Sequence, residues 1–280
     1  MNVILPEKQR INKRRAMNYI IVLIICIIAI GIAIYQFFAD EKLEVILGLV
    51  KSENEKIEQL KSEFDGIFKN KIVYIDNYQG NSKITPDEEL TYTEYQREEK
   101  VDNNYDLNIN IPKINIDNNL AKRYNEEIKQ IFQTPVENIL QTENRNIIYS
   151  VNYIANVEKN ILSVVILSTF KEGNSAQRTI VKTYNYNLST NQEVSLSEFM
   201  NLKELDKNTV EHSIKKEIQK AQEQTDKLRE LGYNIFYRDI SDNMYKTENT
   251  KEFFMYNGNL YLIYAYGNNN STSEMDLVIL

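Results

Sequence analysis

The sequence predicts an α+β fold in which a mostly antiparallel sheet is covered by two helices, preceded by a transmembrane helix and a helical stalk with a coiled-coil pattern. Three observations support this prediction. A long uncharged apolar run lies near the N-terminus, apolar residues then recur at heptad spacing, and the remaining chain alternates strand-like and helix-like segments. The 280 residues are therefore enough for an anchor and one globular domain.

The apolar run predicts a transmembrane helix over residues 18–38, after a basic tail at residues 1–17. The segment Tyr19–Phe38 carries no charge, and its length matches the hydrocarbon core of a bilayer, about 30 Å. Five basic residues precede it, whereas Asp40 and Glu41 follow it, so the N-terminus is expected in the cytoplasm and the C-terminal domain outside the cell. The alternative is a cleaved signal peptide, but the run is longer than the apolar core of such peptides.

Residues 40–70 predict a helical stalk. Its apolar residues fit a heptad pattern, which Glu53 interrupts and in which Gly48 lowers the helix propensity. Two interpretations stay open: a parallel coiled coil that makes the chain a homodimer, and one amphipathic helix that packs on its own domain. The seam of the coiled coil would consist of Leu43, Ile46, Val50, Ile57, Leu60, Phe64 and Ile67.

Residues 71–104 predict a first strand and an acidic linker. The strand is expected from Lys71 to Tyr78, followed by a turn. The stretch from residue 87 to 102 is rich in charged residues, which favours a solvated loop or linker without a partner in the sheet.

Residues 105–280 predict the main extracytoplasmic domain. From Tyr105 to Ile111 apolar and polar residues alternate as in a half-buried strand, and Pro112 then changes the apolar face, which indicates a bulge or an edge position. Asp117 or Asn118 can cap the following helix, which is expected to end before Pro135.

Three strands then form a predicted meander, over residues 147–157, 161–170 and 178–188. The middle strand is almost continuously apolar and is therefore expected at the centre of the sheet. A long helix from about Asp206 to Leu231 is predicted to cover the sheet, with Gly232 as its C-terminal stop. Asn257-Gly258 lies between two apolar runs and predicts a type I′ hairpin, with a last strand over residues 275–280.

Charge and composition exclude several classes of site. The net charge of the chain is −7, and because the N-terminal 39 residues are basic, the rest carries about −11, which disfavours nucleic acid and favours cationic partners. Cys26 is the only cysteine and His212 the only histidine. A disulfide, a thiolate cluster and the usual zinc sites are thus not expected, no cofactor is predicted, and His212 is expected to face solvent from a helix.

Four tyrosines are the candidate ligand platform: Tyr184, Tyr186, Tyr264 and Tyr266. Each pair shares a strand face, and tyrosine combines a stacking surface with a hydroxyl, as glycan and peptide sites require. The same spacing also suits a core, which is the favoured interpretation. Paired carboxylates for glycosidase chemistry are an alternative that sequence spacing does not test, with candidates at Asp87, Glu88, Glu89, Glu98 and Glu99.

Three sequence segments carry a resemblance to a known family. They are Asn108–Pro112, Tyr184–Phe199 and Phe254–Leu260, in the order strand, helix, three-strand meander, long helix and hairpin. Over residues 105–280 the chain resembles the extracytoplasmic domain of RsiV-type anti-sigma factors and the N-terminal, non-catalytic domain of PdaC-type peptidoglycan deacetylases. It departs from them at Glu172–Ala176, where family members commonly have a Gly-Gly-Ala-His-like segment.

The resemblance implies a fold and a cell-envelope setting, with recognition of a wall-active protein or a glycan. It does not imply control of a sigma factor, because the predicted cytoplasmic tail is too short for a sigma-binding domain. The expected function is a non-enzymatic, membrane-anchored binding module of the bacterial envelope, acting as sensor, scaffold or assembly factor for a protein or peptidoglycan ligand. The alternatives are a wall-modifying enzyme with a dispersed carboxylate site and a septal-type structural coiled-coil protein.

Overall fold

A computed structural model describes residues 53–69, 74–75, 83–143, 145–267 and 275–280. The predicted transmembrane helix and the seam residues Leu43, Ile46 and Val50 lie outside these ranges. Among the described residues, no helix combines the length and apolar character needed to cross a membrane. The chain divides into two compact units, Met1–Leu60 and Lys61–Leu280, and the division falls within the first described helix.

The second unit is an α+β structure whose larger sheet is mostly antiparallel. The described helices are α1 (Glu53–Lys69), α2 (Asn119–Ile128), α3 (Thr134–Leu140), α4 (Leu196–Leu202) and α5 (Lys207–Glu230), with a π-helical turn at Lys129–Gln133 and 3-10 turns at Asn243–Tyr245 and Thr247–Asn249. The described strands are β1 (Tyr74–Ile75), β2 (Thr91–Val101), β3 (Tyr105–Ile114), β4 (Ile147–Glu158), β5 (Ile161–Glu172), β6 (Arg178–Asn187), β7 (Gln192–Glu193), β8 (Glu252–Tyr256), β9 (Asn259–Ala265) and β10 (Met275–Ile279).

The larger sheet has the order β2-β3-β4-β5-β6-β7 in the described part of the chain, and β1 pairs with the end of β4. Strands β4, β5 and β6 form the predicted antiparallel meander, and the largely buried β5 is flanked on both sides. The β3–β4 pair is parallel because the intervening helices return the chain to the same end of the sheet. The predicted α+β class and the antiparallel meander are confirmed.

The acidic stretch predicted as a linker contains strand β2. This strand pairs antiparallel with β3 along its length and forms one edge of the larger sheet. Its exposed side chains alternate with half-buried ones, so the charges at Glu94, Glu98 and Lys100 lie on the solvent side. Charged side chains on an edge strand oppose pairing with other chains, which explains why a strand can have this composition. The register irregularity lies between Thr93 and Tyr95, opposite the Pro112 at which a bulge was predicted.

The helix predicted to end before Pro135 continues past it. Asn118 caps α2 by accepting a hydrogen bond from the Ala121 amide at 2.8 Å, as predicted. A π-helical turn follows α2, and Pro135 stands in the first turn of α3. Proline is tolerated there because the first-turn amide needs no intrahelical partner, so Pro135 marks a new helical segment and not a stop.

A second sheet, with the order β10-β9-β8, differs from the single sheet that was predicted. The hairpin is confirmed: Asn257 and Gly258 have φ values of 50° and 76°, as a type I′ turn requires. The long helix α5 contributes Val210, Ile214 and Ile218 to a core with this smaller sheet and α4, whereas α2 and α3 cover the larger sheet. Each helical layer therefore buries a different sheet.

Polar side chains of the larger sheet hold the free edge of β8. The Asn156 amide donates to the Met255 carbonyl at 3.0 Å, and the Asn185 amide donates to the Phe253 carbonyl at 2.7 Å. Buried backbone carbonyls need such partners, and an edge strand presents them in a row. The division into two sheets cannot be read from the alternation of apolar and polar residues along a strand. Both faces of β4 to β6 are buried, each by a different layer.

Helix α1 places aromatic side chains in the second unit. Phe64 is fully buried, with its ring centroid 6.3 Å from that of Phe254 and 5.9 Å from that of Tyr261. Phe68 packs beside Phe64 at 5.1 Å. The predicted seam residue Phe64 therefore contacts its own chain.

We expect Phe64→Ala to lower the free energy of unfolding by about 3 kcal/mol, because it removes a fully buried ring from an aromatic cluster. Ile67→Ala, at a half-buried position of the same helix, is the control and should cost about 1 kcal/mol. Denaturant unfolding of both variants measures the difference. Equal and small losses would show that Phe64 does not belong to the folded core.

Candidate functional site

The candidate site is built on a row of three side chains across the larger sheet. Tyr149 on β4 pairs with Phe170 on β5, and Phe170 pairs with Arg178 on β6. Directly paired residues of neighbouring strands project from the same face, so the three side chains stand in line. The Tyr149 and Phe170 rings meet edge to face at 5.6 Å between centroids. This row lies at the end of the meander nearest the β5–β6 loop.

The helical layer forms the opposite wall. The Tyr149 hydroxyl donates a hydrogen bond to the Phe132 carbonyl, 3.2 Å away, and this ties the π-helical turn to the sheet. Beyond that contact the sheet and α3 leave a groove of about 280 Å³. Single π-helical turns within helices occur frequently at functional sites. The groove is lined by Ile131, Pro135, Asn138, Ile139, Thr142, Arg145, Ile147, Tyr149, Phe170, Glu172, Arg178 and Ile180.

Arg178 is the distinctive residue of this groove. Its guanidinium carbon lies 4.5 Å from the centroid of the Phe170 ring, a cation–π arrangement. Among the described residues, no carboxylate lies within ion-pair distance of Arg178. At the rim, Arg145 instead donates to Glu172 at 3.0 Å, with exposed side-chain fractions of 58% and 39%. The groove thus combines a mostly apolar floor with one guanidinium that has no anionic partner.

This arrangement can bind an anionic group beside an apolar one. A guanidinium that stacks on an aromatic ring keeps its hydrogen-bond donors directed to the side, where a planar anion can meet two of them. The Tyr149 phenol is protonated at neutral pH and adds no negative charge to the groove, and burial raises its pKa further above the ordinary value of 10.0. The local charge is therefore positive in a chain that is acidic as a whole.

The four tyrosines of the predicted platform do not come together. Tyr184 and Tyr186 are buried in the core beneath α2, whereas Tyr264 is buried in the core of the smaller sheet and Tyr266 lies at its border. The Tyr124 and Tyr184 rings are 4.9 Å apart, and the Tyr184 hydroxyl has no hydrogen-bond partner among the described residues. Tyr184, Tyr186 and Tyr264 are buried, whereas Tyr266 is half-buried.

The hydroxyls of the other three tyrosines hold other parts of the fold. The Tyr186 hydroxyl donates to Asn191 at 2.7 Å, and the Tyr264 and Thr250 hydroxyls are 2.9 Å apart. Tyr266 donates to Asp276 and lies 2.9 Å from the Tyr245 hydroxyl. These hydrogen bonds make the rings part of the scaffold, separate from the groove.

The carboxylates of the glycosidase alternative occupy an edge and a loop. Glu99 accepts hydrogen bonds from Arg97 at 2.7 Å and from Tyr105 at 2.9 Å, and these bonds lower its pKa. A general acid needs a raised pKa, so Glu99 does not suit that role. Asp87, Glu88 and Glu89 are exposed in a loop that the buried Asn115 amide holds through the Thr85 and Glu89 carbonyls.

The remaining predicted residues are placed as follows. Of the seam, Phe64 is buried in the second unit, and Ile57, Leu60 and Ile67 are half-buried on α1. His212 is exposed on α5, as predicted. No group of three or more metal-ligating side chains occurs within the described ranges.

The groove residues were missed by sequence reasoning, although one signal was present. Phe170 ends one predicted strand, and Arg178 begins the next strand, which is antiparallel to it. A short connection brings these two strand ends together. An arginine on the apolar face of a strand is the unusual feature, since an unpaired cation is rarely placed on a core. The departure from the resembled family, Glu172–Ala176, lies in this same β5–β6 connection.

Comparisons with known proteins add one finding. No protein-family model matches the chain, and no curated protein matches it. A distant structural neighbour is the crystal structure of a member of the DUF3298 family from Bacteroides fragilis, 11% identical, with a TM-score of 0.29 over 61% of this chain and 79% of that chain.

Proposed function

We propose that this chain is a membrane-anchored, extracytoplasmic binding module of the bacterial cell envelope, and that its ligand binds in the groove beside Arg178. The ligand is a component of the wall or an envelope protein. The anchor is the apolar run at residues 18–38, and the envelope setting follows from the resemblance to the extracytoplasmic domain of RsiV-type and PdaC-type proteins. A homodimer contact through the predicted stalk remains part of this proposal, except at Phe64, which is buried against its own chain.

The observation that carries the proposal is the unpaired guanidinium above an apolar floor. The Phe170 ring stabilises the half-buried charge through the cation–π contact, but no described carboxylate accepts from the guanidinium N–H groups, which stay available to a ligand. Arg145 and Glu172, which form an ion pair nearby, show that the same groove can satisfy a cation internally. Arg178 is therefore the residue available to an external anion.

Binding without catalysis fits the groove better than a hydrolase does. Glycosidase chemistry uses two carboxyl groups flanking the scissile bond. The groove is lined by one carboxylate, Glu172, and this group accepts a hydrogen bond from Arg145. The chain is thus proposed to recognise its ligand and leave it unchanged.

A substitution that fills the groove with a larger side chain tests the proposal. We expect Ile180→Trp to reduce binding of soluble peptidoglycan fragments or of purified envelope proteins at least about tenfold, because the indole occupies the space above the floor. The full chain in lipid nanodiscs is used, and affinities are measured by titration calorimetry.

Ile148→Trp is the matched control. Ile148 is 52% exposed on β4 and projects from the face of the sheet opposite Tyr149, so the same added ring should leave binding unchanged. Thermal unfolding of both variants verifies that the fold is retained. Equal affinity of the two variants would place the ligand elsewhere, and turnover of the glycan would contradict a binding module.

A further inference from the structure

We infer that the groove binds the C-terminal end of a peptide, with the terminal carboxylate on Arg178 and an apolar last side chain on the floor. This inference rests on the proposed function, since it names the ligand class of the same groove. It commits to a single occupant, a peptide with a free carboxylate that ends in an aliphatic residue.

The charge arrangement favours a carboxylate over a phosphate. Arg178 offers one guanidinium without an anionic partner among the described residues, which matches one monoanion. Arg145 pairs with Glu172 in the same groove, so Arg178 supplies the one excess positive charge, which a carboxylate balances and a doubly charged phosphate exceeds. The guanidinium over the Phe170 ring is also a planar fork, the geometry that a carboxylate fits with both oxygens.

The apolar floor suits one aliphatic side chain. Ile131 from the π-helical turn, Ile139 from α3 and Ile180 from β6 surround it. Its volume of 280 Å³ is near the lower limit of ligand pockets, so it accommodates a terminal residue and not a long acyl chain. In a C-terminal residue the carboxylate and the side chain are attached to the same Cα. They are therefore close enough for the carboxylate to contact Arg178 while the side chain contacts the apolar floor.

The helical wall supplies groups for a peptide backbone. Asn138 and Thr142 line the groove from the end of α3. The Thr142 hydroxyl donates to the Asn138 carbonyl at 2.7 Å, whereas the Asn138 side-chain amide is exposed and makes no hydrogen bond with any described residue. That amide has both a donor and an acceptor, which match the backbone N–H and C=O of a peptide. A simple fatty acid would use neither.

Two peptides of identical sequence test the inference. The probe is acetyl-Ala-Leu-Leu with a free carboxylate, and its partner is the same peptide with a C-terminal amide. With the full chain in nanodiscs, the free acid should bind about tenfold to a hundredfold more tightly, as expected for a charge-assisted hydrogen-bonded pair. Equal affinities would overturn the inference.

Variants of Arg178 locate the effect. Arg178→Gln should bring the affinity for the free acid down to that for the amide, and Arg178→Lys should recover only part of it, because lysine keeps the charge but not the fork. Arg97→Gln on the exposed edge strand β2 is the control and should change neither affinity. A loss that is equal for both peptides would point to a folding defect and contradict a carboxylate contact.

The outcomes separate this inference from the proposed function. If neither peptide binds, yet Ile180→Trp still weakens binding of wall fragments or of an envelope protein, the groove is the site and the peptide-terminus assignment is wrong. If Ile180→Trp has no effect on any ligand, the groove itself is not the site.

Discussion

Replacing Arg238 with methionine is expected to destabilise the protein by about 3–5 kcal/mol, because the change leaves the Asp276 carboxylate buried without its cation. The Arg238 and Asp276 side chains are 1% and 11% exposed. Arg238 donates to both carboxylate oxygens, with the longer distance, from Nη2 to Oδ1, at 3.0 Å. This pair joins the segment after α5 to the last strand, β10.

Neighbouring groups make the pair part of a network. The Arg238 guanidinium also donates to the Thr225 hydroxyl on α5 and lies 5.2 Å from the centroid of the Tyr266 ring. Tyr266 in turn donates to Asp276. One substitution therefore leaves several buried polar groups with fewer partners, which is why the expected loss is large.

Arg123→Met is the matched control for Arg238→Met. Arg123 forms an ion pair with Glu193, and both side chains are more than half exposed, so its removal should cost less than about 1 kcal/mol. Denaturant unfolding measures both variants. Similar small losses would show that the Arg238 network contributes little, whereas partial recovery in Arg238→Met/Asp276→Leu would support the buried-charge explanation.

Raising the pH above 10 is expected to unfold the protein steeply, because eight tyrosines in the described ranges are buried or half-buried, with their phenols shielded from water. Burial raises the pKa of each of them from the ordinary value of 10.0, to about 12 for Tyr153, Tyr245, Tyr261 and Tyr264. The pKa of the other four is raised by burial as well, namely those of Tyr124, Tyr149, Tyr184 and Tyr266.

The sign follows from which state holds the proton. Below pH 10 the phenols are neutral in both states, so their contribution to stability is fully present. Above pH 10 the unfolded chain releases protons that the folded chain retains, and stability falls by about 1.4 kcal/mol per pH unit for each tyrosine until the folded pKa is reached. Eight such groups together exceed the stability of an ordinary domain within about one to two pH units.

Tyrosinate absorbance and circular dichroism, followed together as the pH rises, measure this transition. The two signals should change in one step, since the phenols ionise when the fold opens. Tyr184→Phe should make the dependence on pH less steep at little cost in stability at neutral pH, because the Tyr184 hydroxyl has no hydrogen-bond partner among the described residues. Ionisation of these tyrosines near pH 10 in a protein that stays folded would contradict their burial.

Local signals in the sequence were sufficient for several elements. Asn257-Gly258 requires positive φ at both positions, so the hairpin could be predicted with its turn type. The apolar run of β5 likewise identified a strand that is flanked on both sides. In both cases the information lies within a few neighbouring residues.

Other features depend on contacts between distant segments. The charged residues of β2 suggested a linker, because the sequence alone does not show that this segment pairs with β3 as a strand. The division into two sheets depends on side chains such as Asn156 and Asn185, whose amides contact β8 about seventy to a hundred residues later. The groove arises in the same way, since its walls come from α3 and from three strands.

Hydrogen exchange with and without ligand tests the central claim most directly. With the full chain and soluble peptidoglycan fragments or a purified envelope protein that binds, we predict slower exchange at the start of β4, the end of β5, the start of β6 and in α3. Exposed apolar side chains at Leu231, Tyr233 and Tyr237 offer a different surface, at the end of α5 and beyond it. Protection confined to that surface, with the groove unchanged, would contradict the account.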